Sequence, residues 1–218
     1  MSRVYKILFM KIIVFGATGR TGKQIVHQAL NAGHLITAVA RNPAALDITH
    51  PGLTIIKGDV LQLHSFENTL KGFDAVFSVI GKDATRPTTL YSQGVSNIMI
   101  AMQKNNVKRL IAMSAAAVVT NPRLSFLLKI ATKILQRILK HPFADILRME
   151  KAIQQSNLDY TIVRPPKLTN KPLTGQYRFA INEWLAHCTS ISRADLAHFM
   201  IHIISDSKTY QSTIEISY

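Results

Sequence analysis

The sequence predicts an α/β fold in which a mainly parallel sheet lies between two layers of helices. Short apolar runs alternate along the chain with longer segments whose apolar residues recur at helical spacing. Several runs are apolar throughout, as expected for strands that are buried on both faces. The 218 residues are enough to form a full hydrophobic core. We therefore predict one doubly wound, three-layer α/β/α domain over residues 10–218, preceded by an extension over residues 1–9.

A glycine-rich turn follows the first predicted strand. Ile12 to Phe15 are apolar, and Gly16, Gly19 and Gly22 come next at a spacing of three residues. In such a turn the first glycine adopts a conformation closed to other residues, the second lets the main chain approach a ligand, and the third lets the helix pack on the strand. The helix beginning near Arg20 adds free N–H groups and a partial positive charge. The turn predicts a dinucleotide-binding site, with a tight turn that binds nothing as the alternative.

The residue after the second predicted strand selects the dinucleotide. Leu35–Ala40 is this strand, and Arg41 follows it directly. Sites for NAD usually carry an acid here that binds the ribose 2′-OH, whereas an arginine suits a 2′-phosphate. Arg20, inside the glycine turn, is placed to join Arg41 from the other side. The two arginines predict NADPH or NADP as the cofactor, with a solvated charge at a strand end as the alternative for Arg41.

Three more predicted strands end at the carboxyl edge of the sheet, as do the two strands before the glycine turn and Arg41. They are Leu53–Lys57, Asp74–Ile80 and Arg109–Met113. Asp59, after the first of them, would accept from the adenine amino group or cap the next helix. Gly81 follows the second, where the pyrophosphate and the nicotinamide ribose would pass. Ser114 follows the third and would contact substrate or nicotinamide, or serve only as a turn serine.

A basic helix is predicted over residues 124–140. Apolar residues recur there at helical spacing, while Lys129, Lys133, Arg137 and Lys140 share another face. The segment contains no acidic residue. We expect an outer helix that packs on the domain, and contact with an anionic membrane or a partner protein is the alternative.

The rest of the chain completes the sheet and turns over its edge. The remaining predicted elements are helices at 20–32, 87–104 and 143–155, a helix capped by Ser192, and strands at Asp159–Arg164 and Thr213–Ile216. Pro142 would end the basic helix, and Pro165-Pro166-Lys167 would stop sheet pairing. Residues 168–184 are expected to be irregular. Segments at about 115–142 and 165–192 would therefore face the substrate.

Composition narrows the class of partner. The net charge of +14 and the pI near 10.1 suit nucleic acid, acidic lipid, or an enzyme with an anionic cofactor and substrate. We expect no nucleic acid, because the sequence lacks an aromatic RNA-binding signature, a zinc knuckle and a basic tail. Cys188 is the single cysteine, so the sequence offers no cysteine-rich metal site, and we expect no metal and a reducing cytoplasm. No apolar run reaches the roughly 18 residues of a membrane span.

Several stretches together resemble a known family. They are Gly16-Ala-Thr-Gly-Arg-Thr-Gly22, Gly58-Asp-Val-Leu61, Pro87-Thr-Thr89, Ile146-Leu-Arg-Met149, Pro165-Pro166, Lys171-Pro-Leu-Thr-Gly-Gln-Tyr177 and Asp195-Leu-Ala-His-Phe-Met200. They resemble the atypical short-chain dehydrogenases of the NmrA-like superfamily, most closely the biliverdin reductase B, or NADPH flavin reductase, type. The resemblance covers nearly the whole chain from Met10. It implies a Rossmann fold that binds NADPH and reduces flavins, tetrapyrroles or quinone-like acceptors.

The resemblance also implies site residues. Cofactor contacts would come from Gly16, Thr18, Gly19, Arg20, Thr21 and Gly22 at the phosphates, Arg41 at the 2′-phosphate, Asp59 and Val60 at the adenine, Gly81 at the ribose, Ser114 at the nicotinamide, and Pro165 at the same edge. Ser114 and Lys167 are the candidate catalytic residues. Lys167 stands where the family reductase has a histidine, and a lysine there would still meet an anionic substrate.

The pattern Tyr-x-x-x-Lys, with which most short-chain dehydrogenases protonate a carbonyl oxygen, is absent from the sequence. A simple alcohol dehydrogenase is therefore not expected, because an alkoxide would develop without a positioned acid. We predict an NADPH-dependent oxidoreductase, monomeric or homodimeric, that transfers hydride to a planar conjugated acceptor such as a flavin, a biliverdin-like tetrapyrrole or a quinone. A non-catalytic NADP(H)-binding redox sensor is the alternative.

Overall fold

A computed structural model of the chain describes residues 9–81 and 86–218. Its strands are β1 (Lys11–Phe15), β2 (Leu35–Ala40), β3 (Leu53–Lys57), β4 (Ala75–Ser78), β5 (Arg109–Met113), β6 (Asp159–Arg164), β7 (Lys167–Thr169), β8 (Arg178–Ile181), β9 (Ser190–Ser192) and β10 (Ser212–Ser217). Its α-helices are α1 (Arg20–Asn31), α2 (Leu90–Lys104), α3 (Phe126–Ile138), α4 (Lys140–Gln154) and α5 (Arg193–His202). Apart from Phe9, the predicted extension over residues 1–9 lies outside the described residues.

Eight strands form one sheet in the order β3-β2-β1-β4-β5-β6-β10-β8. Neighbouring strands run parallel except for β8, which is antiparallel to β10. Strands β7 and β9 form a separate parallel pair. Because the strand order reverses beside β1, the carboxyl ends of β1 and β4 flank the crevice where open α/β sheets bind ligands.

The helices cover both faces of the sheet and confirm the predicted doubly wound, three-layer architecture. Helices α1 and α5 pack together on one face, and α2 and α4 pack together on the other. Strand β1 shows why its sequence is apolar throughout: Ile12 and Val14 enter one core, while Ile13 and Phe15 enter the other. No helix within residues 9–81 and 86–218 is long and apolar enough to cross a membrane.

The turn between β1 and α1 depends on two glycines. Gly16 has a φ of +85°, and a Cβ there would lie 2.5 Å from the carbonyl oxygen of Val79. A Cβ at Gly22 would lie 2.1 Å from the carbonyl oxygen of Gly16. Only glycine fits at both positions. L-residues disfavour the φ of Gly16, and a Cβ at either position would overlap the main chain. The turn therefore holds α1 directly against the carboxyl end of β1.

Most predicted elements are present, but two local predictions are wrong. Pro142 does not end the basic helix, because α3 already stops at Ile138 and Pro142 lies in the first turn of α4. A proline fits there because a first-turn N–H has no intrahelical partner. The region 168–184 is not wholly irregular, and the chain pairs again at once from Lys167, in β7. These short strands depend on partners that lie far away along the chain.

Gly22→Ala tests the packing of the turn. The added methyl group would overlap the Gly16 carbonyl, so we expect the free energy of unfolding in urea to fall by roughly 3 kcal/mol. Gly19→Ala is the matched control in the same turn, because its Cβ would meet only the Gly16 oxygen, at 3.2 Å. The control should lose less than about 1 kcal/mol. Equal losses in the two variants would contradict this account.

Candidate cofactor and substrate site

The first turn of α1 has the features of an anion site. Its N-cap residue, Gly19, has no side-chain cap, and the turn contains no acidic residue. The first N–H groups of a helix lack intrahelical acceptors, so they remain available to a ligand. Apart from the Gly16 oxygen, a Cβ at Gly19 would meet no atom within 4 Å, which leaves room for a close approach. The residues present therefore fit the pyrophosphate of a dinucleotide.

Two arginines flank this turn. Arg20 is the first residue of α1, and Arg41 directly follows β2, the neighbour of β1 in the sheet. Both side chains are exposed, and neither forms an ion pair with a residue in the described part of the chain. Two cations therefore remain available where a 2′-phosphate would be bound. Thr18 is half-buried in the turn, and Thr21 is buried at the start of the helix.

Asp59 and Val60 follow β3 at the same edge. The Asp59 Oδ1 accepts from the Leu61 N–H at 3.0 Å, and the carbonyl of Val60 accepts from Asn97 Nδ2 at 2.8 Å. One carboxylate oxygen of Asp59 thus supports its own turn rather than the next helix, while Oδ2 has no partner among the described residues. The main chain at Val60 is therefore held by Asn97, which lies on α2.

A cavity of about 750 Å³ opens at the carboxyl edge of β4, β5, β6 and β10. Four residues predicted for the site line it together: Gly81, Ser114, Pro165 and Lys167. Its walls are mainly apolar and include Ile80, Tyr91, Met113, Val119, Leu124, Leu128, Leu135, Leu139, Phe143 and Ile146. The glycine turn, Arg41, Asp59 and Val60 do not line this cavity, because they follow β1, β2 and β3. The predicted residues therefore divide into a phosphate and adenine side and a cavity side.

The hydroxyl of Ser114 is part of a buried charge network. Ser114 Oγ donates to Glu150 Oε1 at 2.6 Å, and Arg164 binds the same carboxylate through Nε at 2.8 Å and through its terminal nitrogen at 2.5 Å. Glu150 is 3% exposed. The serine proton is thus directed towards Glu150 and away from the cavity. Ser114 can accept a hydrogen bond from a ligand, but in this arrangement it offers no proton.

A second buried acid, Glu215, also lines the cavity. Its Oε2 accepts from Asn121 Nδ2 at 2.9 Å and from the Leu185 N–H at 2.8 Å, whereas Oε1 is buried without a partner in the described structure. Arg164, on the adjacent strand, forms its ion pair with Glu150 instead. Burial raises the pKa of Glu215, and the hydrogen bonds together with the charge of Arg164 oppose this shift only in part.

Cys188 lines the cavity as well, but its thiol is unreactive. Burial, followed by the negative charge of Glu215, raises its pKa to about 12, and weaker effects of Ser217 and Arg178 do not offset this. A thiol with this pKa carries almost no thiolate at neutral pH. Nucleophilic chemistry by Cys188 therefore has no support in the geometry of the site.

The stretches 171–177 and 195–200 contact each other away from the cavity. The carboxylate of Asp195 accepts from the N–H groups of Thr174 and Gly175 at 2.9 and 2.8 Å. Tyr177 and His198 join the same stretches through a hydrogen bond of 2.7 Å. Burial raises the pKa of Asp195, but the hydrogen bonds outweigh it and leave the pKa lowered. These contacts make both stretches structural, since they fasten the loop after β7 to α5.

Comparison with known proteins shows the family of the chain. The model of the family described as NAD(P)H-binding matches residues 16–207. The chain belongs to this NAD(P)H-binding family. The match begins at the glycine turn and extends through α5, so it includes both the phosphate side and the cavity side of the site.

The chain is also similar to known proteins, among them two curated relatives and one solved structure. The photosystem II assembly factor Ycf39 of Synechocystis is 29% identical over 79% of this chain and 49% of its own length. A (4-alkanoyl-5-oxo-2,5-dihydrofuran-3-yl)methyl phosphate reductase of Streptomyces griseus is 25% identical over 75% of this chain and 50% of its own length. This chain thus spans about half the length of these relatives. A short-chain dehydrogenase/reductase of Veillonella parvula, solved with NADP, shares the fold with a TM-score of 0.79, 19% identity, and coverage of 97% of this chain and 95% of its own.

Sequence reasoning missed Glu150, Arg164 and Glu215 as neighbours of the cavity. A signal for Glu150 was available, because it lies four residues after Ile146 and three before Ile153, on the apolar face of its helix. An acid at such a position needs a buried partner. Glu215 gave a weaker signal as the one charged residue of β10, a strand that is otherwise largely apolar or small.

Glu215→Gln tests the electrostatics of the cavity. A carboxyl whose pKa is raised on folding stabilises the fold fully only below its unfolded pKa, near pH 4.3, and this contribution is lost as pH rises through the folded pKa. Glutamine keeps an acceptor for Asn121 and Leu185 without a charge. We expect the variant to be more stable than wild type in urea at pH 8, and the difference to shrink as pH falls to about 4.3.

Glu183→Gln is the matched control, because Glu183 is exposed and lies in the same region of the chain. It removes the same charge without a buried site. A gain in stability that is equal for the two variants, or that does not depend on pH, would contradict the raised pKa of Glu215.

Proposed function

We propose that the protein is an NADPH-dependent reductase that passes hydride to a planar conjugated acceptor bound in the cavity. The observation that carries the proposal is the cavity itself, which is mainly apolar and lies at the carboxyl edge of the sheet beside Gly81 and Ser114. A flat, largely apolar molecule suits these walls. Flavins, biliverdin-like tetrapyrroles and quinones are the acceptors that we propose, and the reducing cytoplasm is the compartment.

The two sides of the site would bind different parts of the cofactor and the acceptor. The turn from Gly16 to Gly22 would hold the pyrophosphate, and Arg41 with Arg20 would hold the 2′-phosphate. Asp59 and Val60 would contact the adenine. This arrangement would direct the nicotinamide end towards Gly81, Ser114 and Pro165, which border the cavity. Lys167, exposed at the start of β7, would meet an anionic group of the acceptor.

The reaction would depend on the positioning of the cofactor against the acceptor rather than on acid catalysis by the protein. The bound cofactor supplies a hydride, and the acceptor gains that hydride together with one proton. Ser114 directs its proton to Glu150, and the Cys188 thiol is not acidic, so neither is a ready proton donor. A conjugated acceptor delocalises the incoming electrons and takes its proton from water. The relative that acts on a 5-oxo-2,5-dihydrofuran, a flat conjugated ring, supports this class of acceptor.

A non-catalytic NADP(H)-binding redox sensor is the second candidate. The observation that favours it is the same hydrogen bond from Ser114 to Glu150, which leaves the Ser114 hydroxyl with no proton to donate to a ligand. Similarity to a photosystem II assembly factor adds support, since that name describes assembly. The sensor would bind NADPH tightly and would not oxidise it, whichever acceptor is added. The reductase would bind NADPH and turn it over.

Arg41→Ala tests the choice of cofactor. Loss of a charge-assisted hydrogen bond worth about 1.5–3 kcal/mol should raise the Kd for NADPH roughly 10-fold or more, measured by fluorescence titration. The Kd for NADH should hardly change, because NADH lacks the 2′-phosphate. Lys71→Ala is the control, an exposed cation in the turn before β4 at the opposite edge of the sheet. Equal losses for the two cofactors would refute the 2′-phosphate assignment.

Ala131→Trp tests whether the cavity binds the acceptor. Ala131 lines the cavity from α3, so an indole there should block the acceptor and lower kcat/KM at least 10-fold, with the Kd for NADPH unchanged. Steady-state NADPH oxidation would be measured with FMN, riboflavin, biliverdin and quinones. Ile130→Trp is the matched control. Ile130 is the neighbour of Ala131 in sequence, but its side chain lies on another face of the helix and is 41% exposed. No turnover by wild type with any acceptor would refute the reductase and favour the sensor.

A further inference from the structure

Helix α3 is unusual because none of its residues is buried. Its large apolar side chains remain exposed to solvent, with Phe126 76%, Leu127 77%, Ile134 55% and Ile138 59% exposed. Monomeric proteins seldom expose so many large apolar side chains together. The exposed residues belong to one continuous element, so they form a single surface rather than scattered contacts.

Helical spacing divides α3 into three faces. Leu128, Ala131, Thr132 and Leu135 line the cavity and form the inner face. The outer apolar face is formed by Phe126, Leu127, Ile130, Ile134 and Ile138, each of which is at least 41% exposed. The cationic face is formed by Lys129, Lys133, Arg137 and, just after the helix, Lys140, at spacings of three or four residues. The outer apolar face therefore lies between the cavity and the cations.

Polar contacts fix which face points outwards. Gln136 Nε2 donates to the Ala117 carbonyl at 3.0 Å and to Thr120 Oγ1 at 3.3 Å. Before the helix, Asn121 Nδ2 donates to the Leu185 carbonyl at 2.9 Å. These contacts hold the inner face over the cavity. The outer apolar face consequently has no partner in the described structure.

The charged residues of this segment have one sign. No acidic residue occurs between Asp83 and Asp145 in the sequence. Lys133, Arg137 and Lys140 are exposed, and they line a shallow depression of about 550 Å³ together with Ile130 and Ile134. Cations beside large apolar side chains suit a partner that presents anions above a layer of hydrocarbon.

We propose that α3 docks in the plane of an anionic lipid bilayer. Its outer apolar side chains would enter the boundary between headgroups and acyl chains, and the cations would bind lipid phosphates. A lipid surface is favoured over a protein partner because the apolar side chains form an exposed stripe along the whole helix, with no acid in the segment. Since the inner face of α3 lines the cavity, docking would place the cavity beside the bilayer.

Cosedimentation of the full chain with vesicles tests the proposal. We expect the protein to sediment with phosphatidylglycerol/phosphatidylcholine vesicles and to stay in solution with phosphatidylcholine alone. Neutralising Lys129, Lys133, Arg137 and Lys140 with glutamine should lower association about 10-fold or more. Ile130→Gln with Ile134→Gln should lower it similarly, although the charge is unchanged. Circular dichroism and NADPH binding, both of which should be retained, verify that each variant is folded.

A charge-matched control separates this surface from net charge. Lys71, Lys108, Lys151 and Lys208 are exposed cations outside α3, and their replacement by glutamine removes the same four charges. This control should leave vesicle association within about 2-fold of wild type. Equal losses in the two quadruple variants would overturn the proposal, and so would wild type that fails to sediment with anionic vesicles. A dimer that Ile134→Gln dissociates, with no vesicle binding, would instead make the surface an interface between two copies of the chain.

Discussion

The close approach of α1 to β1 is the contact on which the site depends. A Cβ at Gly22 would lie 2.1 Å from the Gly16 carbonyl, so the helix can start this near the strand only because both positions are glycine. That approach points the first N–H groups of α1 into the crevice between β1 and β4. Because the same sheet edge continues to β5, β6 and β10, the turn and the cavity lie along one edge of the sheet.

Two buried carboxylates lie at the mainly apolar cavity: Glu215 lines it, and Glu150 lies behind Ser114. Glu150 accepts from Ser114 and forms an ion pair with Arg164, so its charge is compensated behind the wall of the cavity. Glu215 lacks such a cation, and burial raises its pKa. The one arginine between the two buried acids forms its ion pair with Glu150, so Glu215 depends on hydrogen bonds from Asn121 and Leu185. The cavity thus remains compatible with a flat apolar ligand.

The elements that could be predicted from the sequence are those determined by the local pattern of apolar residues. Strands such as Leu35–Ala40, Leu53–Lys57 and Arg109–Met113 have the predicted bounds, because an apolar run is a local signal. The β7–β9 pair was missed because each strand has three residues and its partner lies more than twenty residues away. Arg109, expected only to begin a strand, is buried and donates to the carbonyls of Ile203 and Ile204. No local pattern indicates such a distant set of acceptors.

Helix α3 requires an explanation that the domain alone does not provide. An outer helix that only covers a domain buries one apolar stripe and presents polar residues on the opposite side. Here the inner face covers an open cavity, so Leu128 and Leu135 remain 38% and 39% exposed, and a second apolar face points outwards. Two apolar faces on one helix imply two apolar environments. A ligand in the cavity would supply one and a hydrocarbon layer the other, with the adjoining cations fixing the helix at the level of the lipid phosphates.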